Sequence, residues 1–119
     1  LIAVLEKRCS LNLSSQDIYV NVIGGMKVDE PAVDLSVAMA IVSSYKNILI
    51  DSKTVFLGEI GLTGEIRNIT NFEKRIKEIS KLGYNKIYTN KKQIDSLKES
   101  VDATLIGVST IDEVINKIV

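Results

Sequence analysis

Histidine is absent from this chain, and cysteine and proline occur once each, as Cys9 and Pro31. Without histidine, the usual imidazole base and the commonest nitrogen ligand for zinc are missing. A single cysteine excludes an internal disulfide and a four-cysteine zinc site, and it fits a reducing cytoplasm. Neither sign of charge is in excess, with 15 basic residues against 15 acidic ones. Nucleic-acid affinity must therefore come from a local patch and not from the chain as a whole. The longest apolar run, Leu35 to Val42, is interrupted by Ser36 and is too short to cross a bilayer, so no membrane partner is expected. There is no Gly-x-x-x-x-Gly-Lys-Ser/Thr phosphate loop. The glycines from Gly58 to Gly64 do not match a dinucleotide fingerprint, because no helix is expected directly after them.

What is present is enough for one compact domain over residues 1–119, with 45% apolar and 25% charged residues. A chain of that size buries a core without staples. It opens on Leu1-Ile2-Ala3-Val4-Leu5, with Leu1, Val4 and Leu5 at helical spacing and no signal pattern. The expectation is a fragment of a longer protein that begins inside a helix.

Residues 1–9 read as that helix, and the β-branched stretch Ile18–Ile23 reads as a strand ended by Gly24-Gly25. Pro31 suits a first helical turn, and Asp29, Glu30 and Asp34 favour the positive end of the helix that follows, to Tyr45. That run is apolar nearly all round, which predicts a helix buried in the middle of the domain. Thr54–Leu57 reads as a strand, and Gly58, Gly61 and Gly64 punctuate a hairpin that ends near Ile66. Asn71 is expected to cap a helix from Phe72 to Leu82, with Phe72, Ile76 and Ile79 inward and Gly83 as the stop. Lys86–Thr89 and Thr104–Val108 read as strands. Asn90 with Gln93, and Thr110 with Glu113, have capping-box spacing before a short helix through Leu97 and a last helix striped by Ile111, Val114, Ile115 and Ile118. Helix and strand alternate through the second half, which predicts parallel strands with crossovers. The fold class is therefore α+β or mixed α/β in a single domain.

Three segments carry a resemblance: Tyr19 through Gly24-Gly25-Met26-Lys27-Val28-Asp29-Glu30-Pro31-Ala32, Phe56-Leu57-Gly58-Glu59-Ile60-Gly61-Leu62-Thr63-Gly64-Glu65-Ile66-Arg67, and Glu73-Lys74-Arg75 leading to Gly83-Tyr84-Asn85-Lys86-Ile87. Their order and spacing resemble the proteolytic domain of Lon. Their wording resembles the C-terminal Lon-protease-like domain of the RadA (Sms) family, bacterial RecA-related DNA repair ATPases. The resemblance implies a Lon-protease-like fold, akin to ribosomal protein S5 domain 2. It also implies a module that supports hexameric ring assembly and duplex DNA contact during branch migration in recombinational repair. The zinc finger and RecA-like ATPase core of that family have no counterpart here. ATP, magnesium and zinc are thus expected in a full-length protein and no cofactor in this chain. Recombinase or replicative repair proteins are the further partners implied, in the cytoplasm. A Lon-like domain of another AAA+ helicase or protease relative stays open.

Lon cleaves peptides with a Ser–Lys dyad, in which an amine accepts the proton of the serine hydroxyl. Against Lon's Asp-Gly-Pro-Ser-Ala-Gly, this chain reads Asp29-Glu30-Pro31-Ala32-Val33-Asp34. The resemblance puts Ala32 at the serine position and Glu73 at the lysine position, with Lys74 one residue away. A methyl group cannot attack a carbonyl, so no catalytic residue is expected. Ser36, the nearest hydroxyl, reads as a small residue in a packed helix. Glu59 and Glu65 read as surface carboxylates of the hairpin; a metal held by them would have to be a hard cation. Cys9 has no histidine or second cysteine to activate it.

For DNA, the candidates are Lys27, Arg67, Lys74, Arg75, Lys77 and Lys81, cations able to neutralise backbone phosphates. Lys74, Lys77 and Lys81 share one side of a helix. Glu73 with Lys77 and Lys74 with Glu78 have the i,i+4 spacing of ordinary solvated pairs, which competes with that use. Tyr19, Tyr45, Tyr84 and Tyr88 are scattered, so duplex backbone contact is expected in preference to base stacking. A protein-interaction scaffold without DNA contact is the alternative function.

Overall fold

The computed structural model describes residues 31–118. The helix at residues 1–9, the strand at 18–23, Cys9 and Lys27 lie outside the described residues.

The described chain begins with a 3-10 turn, Pro31–Val33, which passes into helix α1, Asp34–Lys46. Leu35, Ala38, Met39, Ile41 and Val42 are buried. The described residues do not encircle the helix, since Ser36, Val37 and Ala40 stay half-buried and Ser44, Tyr45 and Lys46 are exposed. Asn47 ends α1 in the left-handed conformation, and the Ile48 amide returns to the Ser43 carbonyl at 3.0 Å. Orphan carbonyls at helix ends are commonly satisfied this way.

Strands β1 (Thr54–Leu57), β4 (Lys86–Asn90) and β5 (Thr104–Val108) form a three-stranded parallel sheet in the order β1-β4-β5. Between β1 and β4 lie the antiparallel pair β2 (Glu59–Ile60) and β3 (Ile66–Arg67), then helix α2 (Phe72–Lys81). A short helix α3 (Lys91–Asp95) joins β4 to β5, and α4 (Ile111–Ile118) closes the described chain. The mixed α/β class with parallel strands and crossovers is as the alternation predicts.

Strand alternation sends neighbouring side chains to opposite faces. The register aligns Phe56 with Tyr88 and Tyr88 with Ile106, and their rows face α1 and α4. The rings of Phe56 and Tyr88 stack with centroids 5.0 Å apart. Val55, Ile87 and Leu105 occupy the other face with Leu57, Phe72, Ile76 and Ala103. Helices thus cover both faces, which is how parallel sheets are normally buried.

The capping expectations are met in part. Asn71 sits at φ 55° and makes no side-chain cap, because a capping side chain needs extended backbone that the left-handed region does not supply. The Asn90 carboxamide does cap α3, accepting from the Gln93 amide at 3.0 Å, and α3 ends at Asp95 instead of reaching Leu97. Gln93 does not complete the box. Its carboxamide is bound to both the amide and the carbonyl of Ile69, each at 3.0 Å, and so ties α3 to the segment that leads into α2. Thr110 accepts from the Glu113 amide at 3.2 Å, while Glu113 reaches back to the Ser109 amide at 3.3 Å. Gly83 stops α2 as expected, at φ 98°.

Candidate nucleic-acid interface and the surroundings of Ala32 and Glu73

Ala32 lies in the turn ahead of α1 with 3% of its surface exposed. Its carbonyl accepts from the Gly58 amide at 3.0 Å, and the Gly58 carbonyl accepts from Leu35 at 3.0 Å. These bonds clamp the turn to the end of β1. The Ala32 methyl belongs to the apolar cluster that holds Leu57, Phe72, Ile76 and Ile87. Since Phe72 is in that cluster, the first turn of α2, with Glu73, approaches the same side of the sheet as Ala32. Glu73 is half-buried, and its carboxylate accepts from the Lys98 amide at 3.4 Å.

The Ser36 hydroxyl donates to the Phe56 carbonyl. Lys74 is exposed, on the side of α2 opposite Phe72 and Ile76. At about 100° per residue, positions 74 and 81 fall roughly 20° apart on that outer side. Asp34 takes the Ile60 amide at 3.1 Å and so fastens the hairpin to the start of α1.

The hairpin crosses the carboxyl ends of the parallel strands. The Ile66 amide donates to Ser109, the Ile111 amide donates to Gly64, and the buried Asn90 carboxamide donates to the Ile66 carbonyl, each at 2.9 Å. At its tip, one oxygen of Glu65 accepts from the Thr63 hydroxyl at 2.6 Å and the Thr63 amide at 3.1 Å, and the other meets Arg67 Nε at 3.3 Å. Hydrogen bonds to the charged form lower a carboxyl pKa. The Thr63 hydroxyl first, then backbone amides and Arg67, hold Glu65 at about 2.

The cations nominated from sequence separate into two groups. Lys74 and Lys81 are exposed on the outer side of α2. Arg67 and Lys77 each have a carboxylate, Arg67 with Glu65 and Lys77 Nζ with Glu99 Oε2 at 2.6 Å. Arg75 is half-buried, with interactions of its own. The expected i,i+4 pairing of Glu73 with Lys77 gives way to contacts with the loop after α3. The reason is packing: Glu73, Lys77 and Ser80 line one side of α2, and each meets a successive part of that loop, at Lys98, Glu99 and Ala103. The hydrogen bond that Lys77 donates to Glu99, the charge of Glu99 and that of Glu73 raise the Lys77 pKa. Sequence reasoning missed Glu99 and the bonds of Gln93 to Ile69, because neither shares local periodicity with the residue it binds. Among the described residues, no group of three or more His, Cys, Asp or Glu could hold a metal ion, and no helix is long and apolar enough to cross a membrane.

A parallel sheet covered by helices on both faces, crossed at its strand ends by a hairpin and flanked by a helix with outward lysines, is the class of domain defined here. Residues 2–93 match the family described as subunit ChlI of Mg-chelatase. Over 118 residues the chain is 48% identical to DNA repair protein RadA of Streptococcus pyogenes serotype M1, covering 99% of this chain and 26% of that protein. It is likewise 48% identical to RadA of Streptococcus pneumoniae, covering 28% of it, and 45% identical over 117 residues to RadA of Listeria monocytogenes. The chain belongs to the family of that model, and nearly its whole length is similar to DNA repair protein RadA. It spans about a quarter of the length of these curated relatives.

Proposed function

We propose that this chain is a non-proteolytic Lon-like module of a RadA-type DNA repair protein, supporting hexameric ring assembly and contacting duplex DNA during branch migration. The observation that carries the non-proteolytic part is the Ala32 methyl, buried in an apolar cluster with Phe72 where Lon has a nucleophile. Glu73 at the lysine position would repel an alkoxide, and Ser36 is already bonded to a strand carbonyl. ATP, magnesium and zinc would be held by parts of the relatives that this chain does not span. Recombinase or replicative repair proteins would be the further partners.

For DNA, the support is the outward face of α2, where Lys74 and Lys81 stand free of the core and able to reach phosphates. Weak binding is expected of a single domain, and ring assembly would multiply the contacts. The test is fluorescence anisotropy of a labelled random-sequence duplex across a salt series. Lys74→Gln and Lys81→Gln should each weaken binding for any sequence and reduce the slope of log K against log salt by about 0.9. No binding at low salt, together with a purely monomeric sedimentation profile at high concentration, would sink the reading. A scaffold that binds only proteins is the second reading, favoured by the carboxylates already on Arg67 and Lys77. Ring formation without duplex binding would select it. A serine-reactive probe tests the dead site, and labelled protein would overturn it.

A further inference from the structure

Glu99 stands on the loop between α3 and β5, and its carboxylate is 2.6 Å from the ammonium of Lys77 on α2. The loop is held there by more than this pair. The Lys98 amide donates to Glu73 at 3.4 Å, and the Ala103 amide donates to the Ser80 hydroxyl at 3.2 Å. The contacts bracket Glu99 in sequence, one residue before it and four after, and hold the loop against α2. Lys77 is the cation on α2 nearest in angle to the outward pair Lys74 and Lys81 that is occupied by an acid. It would otherwise extend that pair into a row of three.

We infer that Glu99 is a built-in competitor for phosphate at Lys77, so that the loop from Ser96 to Ala103 restrains the duplex contact made by α2; this step rests on the duplex reading above. A carboxylate and a phosphate oxygen offer an ammonium the same charge-assisted acceptor, and one ammonium cannot lie against both at full strength. The pair is solvent-exposed, with side-chain exposures of 36% for Lys77 and 68% for Glu99. Exposed pairs are weak and salt-sensitive. Glu99 therefore attenuates the contact without abolishing it, and a polyanion or a partner that lifts the loop would release Lys77.

The experiment compares the 119-residue chain with Glu99→Gln, Lys77→Gln and the double variant, by anisotropy of the same labelled duplex over a salt series. Glu99→Gln should bind roughly two- to fivefold tighter, the range set by exposed ion pairs. Its salt slope should steepen, by at most the roughly 0.9 of one full phosphate contact. Lys77→Gln alone should change little, and in the double variant the gain should vanish. A gain that persists without Lys77 would be a general charge effect and would overturn the inference while leaving the duplex reading intact. An unchanged affinity for Glu99→Gln, with wild type binding normally, overturns it too. If neither wild type nor Glu99→Gln binds duplex at low salt, the duplex reading itself fails and the inference goes with it. Glu99→Gln is isosteric at an exposed site, Lys77→Gln shortens a half-buried side chain, and matching thermal melts confirm that the fold is unchanged in both.

Discussion

Gly61 and the carboxylate of Glu65 share one space: a β-carbon added at position 61 would fall inside contact distance of both carboxylate oxygens. The glycine is there because the acid folds back over it. Gly61 donates its amide to the Glu65 carbonyl at 2.9 Å, and the side chain then turns inward to Thr63. The hairpin tip is held by this arrangement, with Leu62 left 88% exposed upon it. In Gly61→Ala the flexible Glu65 side chain must swing out and give up its bonds to Thr63. The carboxyl should then titrate near its ordinary value of 4.5 instead of about 2, as read by carbon NMR of Glu65.

The same carboxyl makes hairpin stability depend on pH. Its folded pKa lies below the unfolded one, so its contribution is fully present above about 4.5 and is lost as pH falls towards about 2. The Thr63 hydroxyl is the largest cause of the depression. Thr63→Ala should raise the Glu65 midpoint and lower stability at neutral pH. The difference from wild type should shrink to nothing in acid below the native midpoint, measured as denaturation curves at several pH values.

Gly83 ends α2 at φ 98°, and an added β-carbon there meets no atom within 4 Å. The cost of Gly83→Ala is therefore backbone strain without steric collision. A loss of about 1–2 kcal/mol in urea unfolding is expected. Asn71→Gly, at the other end of the helix and also left-handed, should be neutral or slightly stabilising.

Ile76 is fully buried between α2 and the sheet. Ile76→Ala should cost about 2–5 kcal/mol, the transfer and cavity terms together. Amide exchange should rise along α2, because this side chain and Phe72 are its buried anchors.

Ala32→Ser adds a hydroxyl to an apolar cluster, and about 1–3 kcal/mol of stability should be lost. No labelling by a serine-reactive probe is expected, since Glu73 offers no amine to take the proton.

Much of the fold is legible in local pattern. Strands β1, β4 and β5 and helices α1, α2 and α4 follow from β-branched runs, apolar stripes and stop signals, because those preferences act over a few residues. What failed to read locally were side chains with two candidate partners. Gln93 has the spacing of a capping residue yet binds Ile69, and Lys77 has the spacing of a helix pair yet binds Glu99. In each case a segment distant in sequence packs close enough to compete, and spacing carries no information about that.

The sequence by itself determined the chemistry at position 32, because a side chain that ends at its β-carbon lacks an attacking oxygen in any fold. It also determined the alternation of strands and helices that makes the sheet parallel. Only the tertiary structure decided that Ala32 lies in the Phe72 cluster, that Glu65 folds over Gly61, and which lysines of α2 keep an unshared charge. Such outcomes depend on which surfaces come within a few ångströms of each other, and ionic and hydrogen-bonding forces discriminate only at that range.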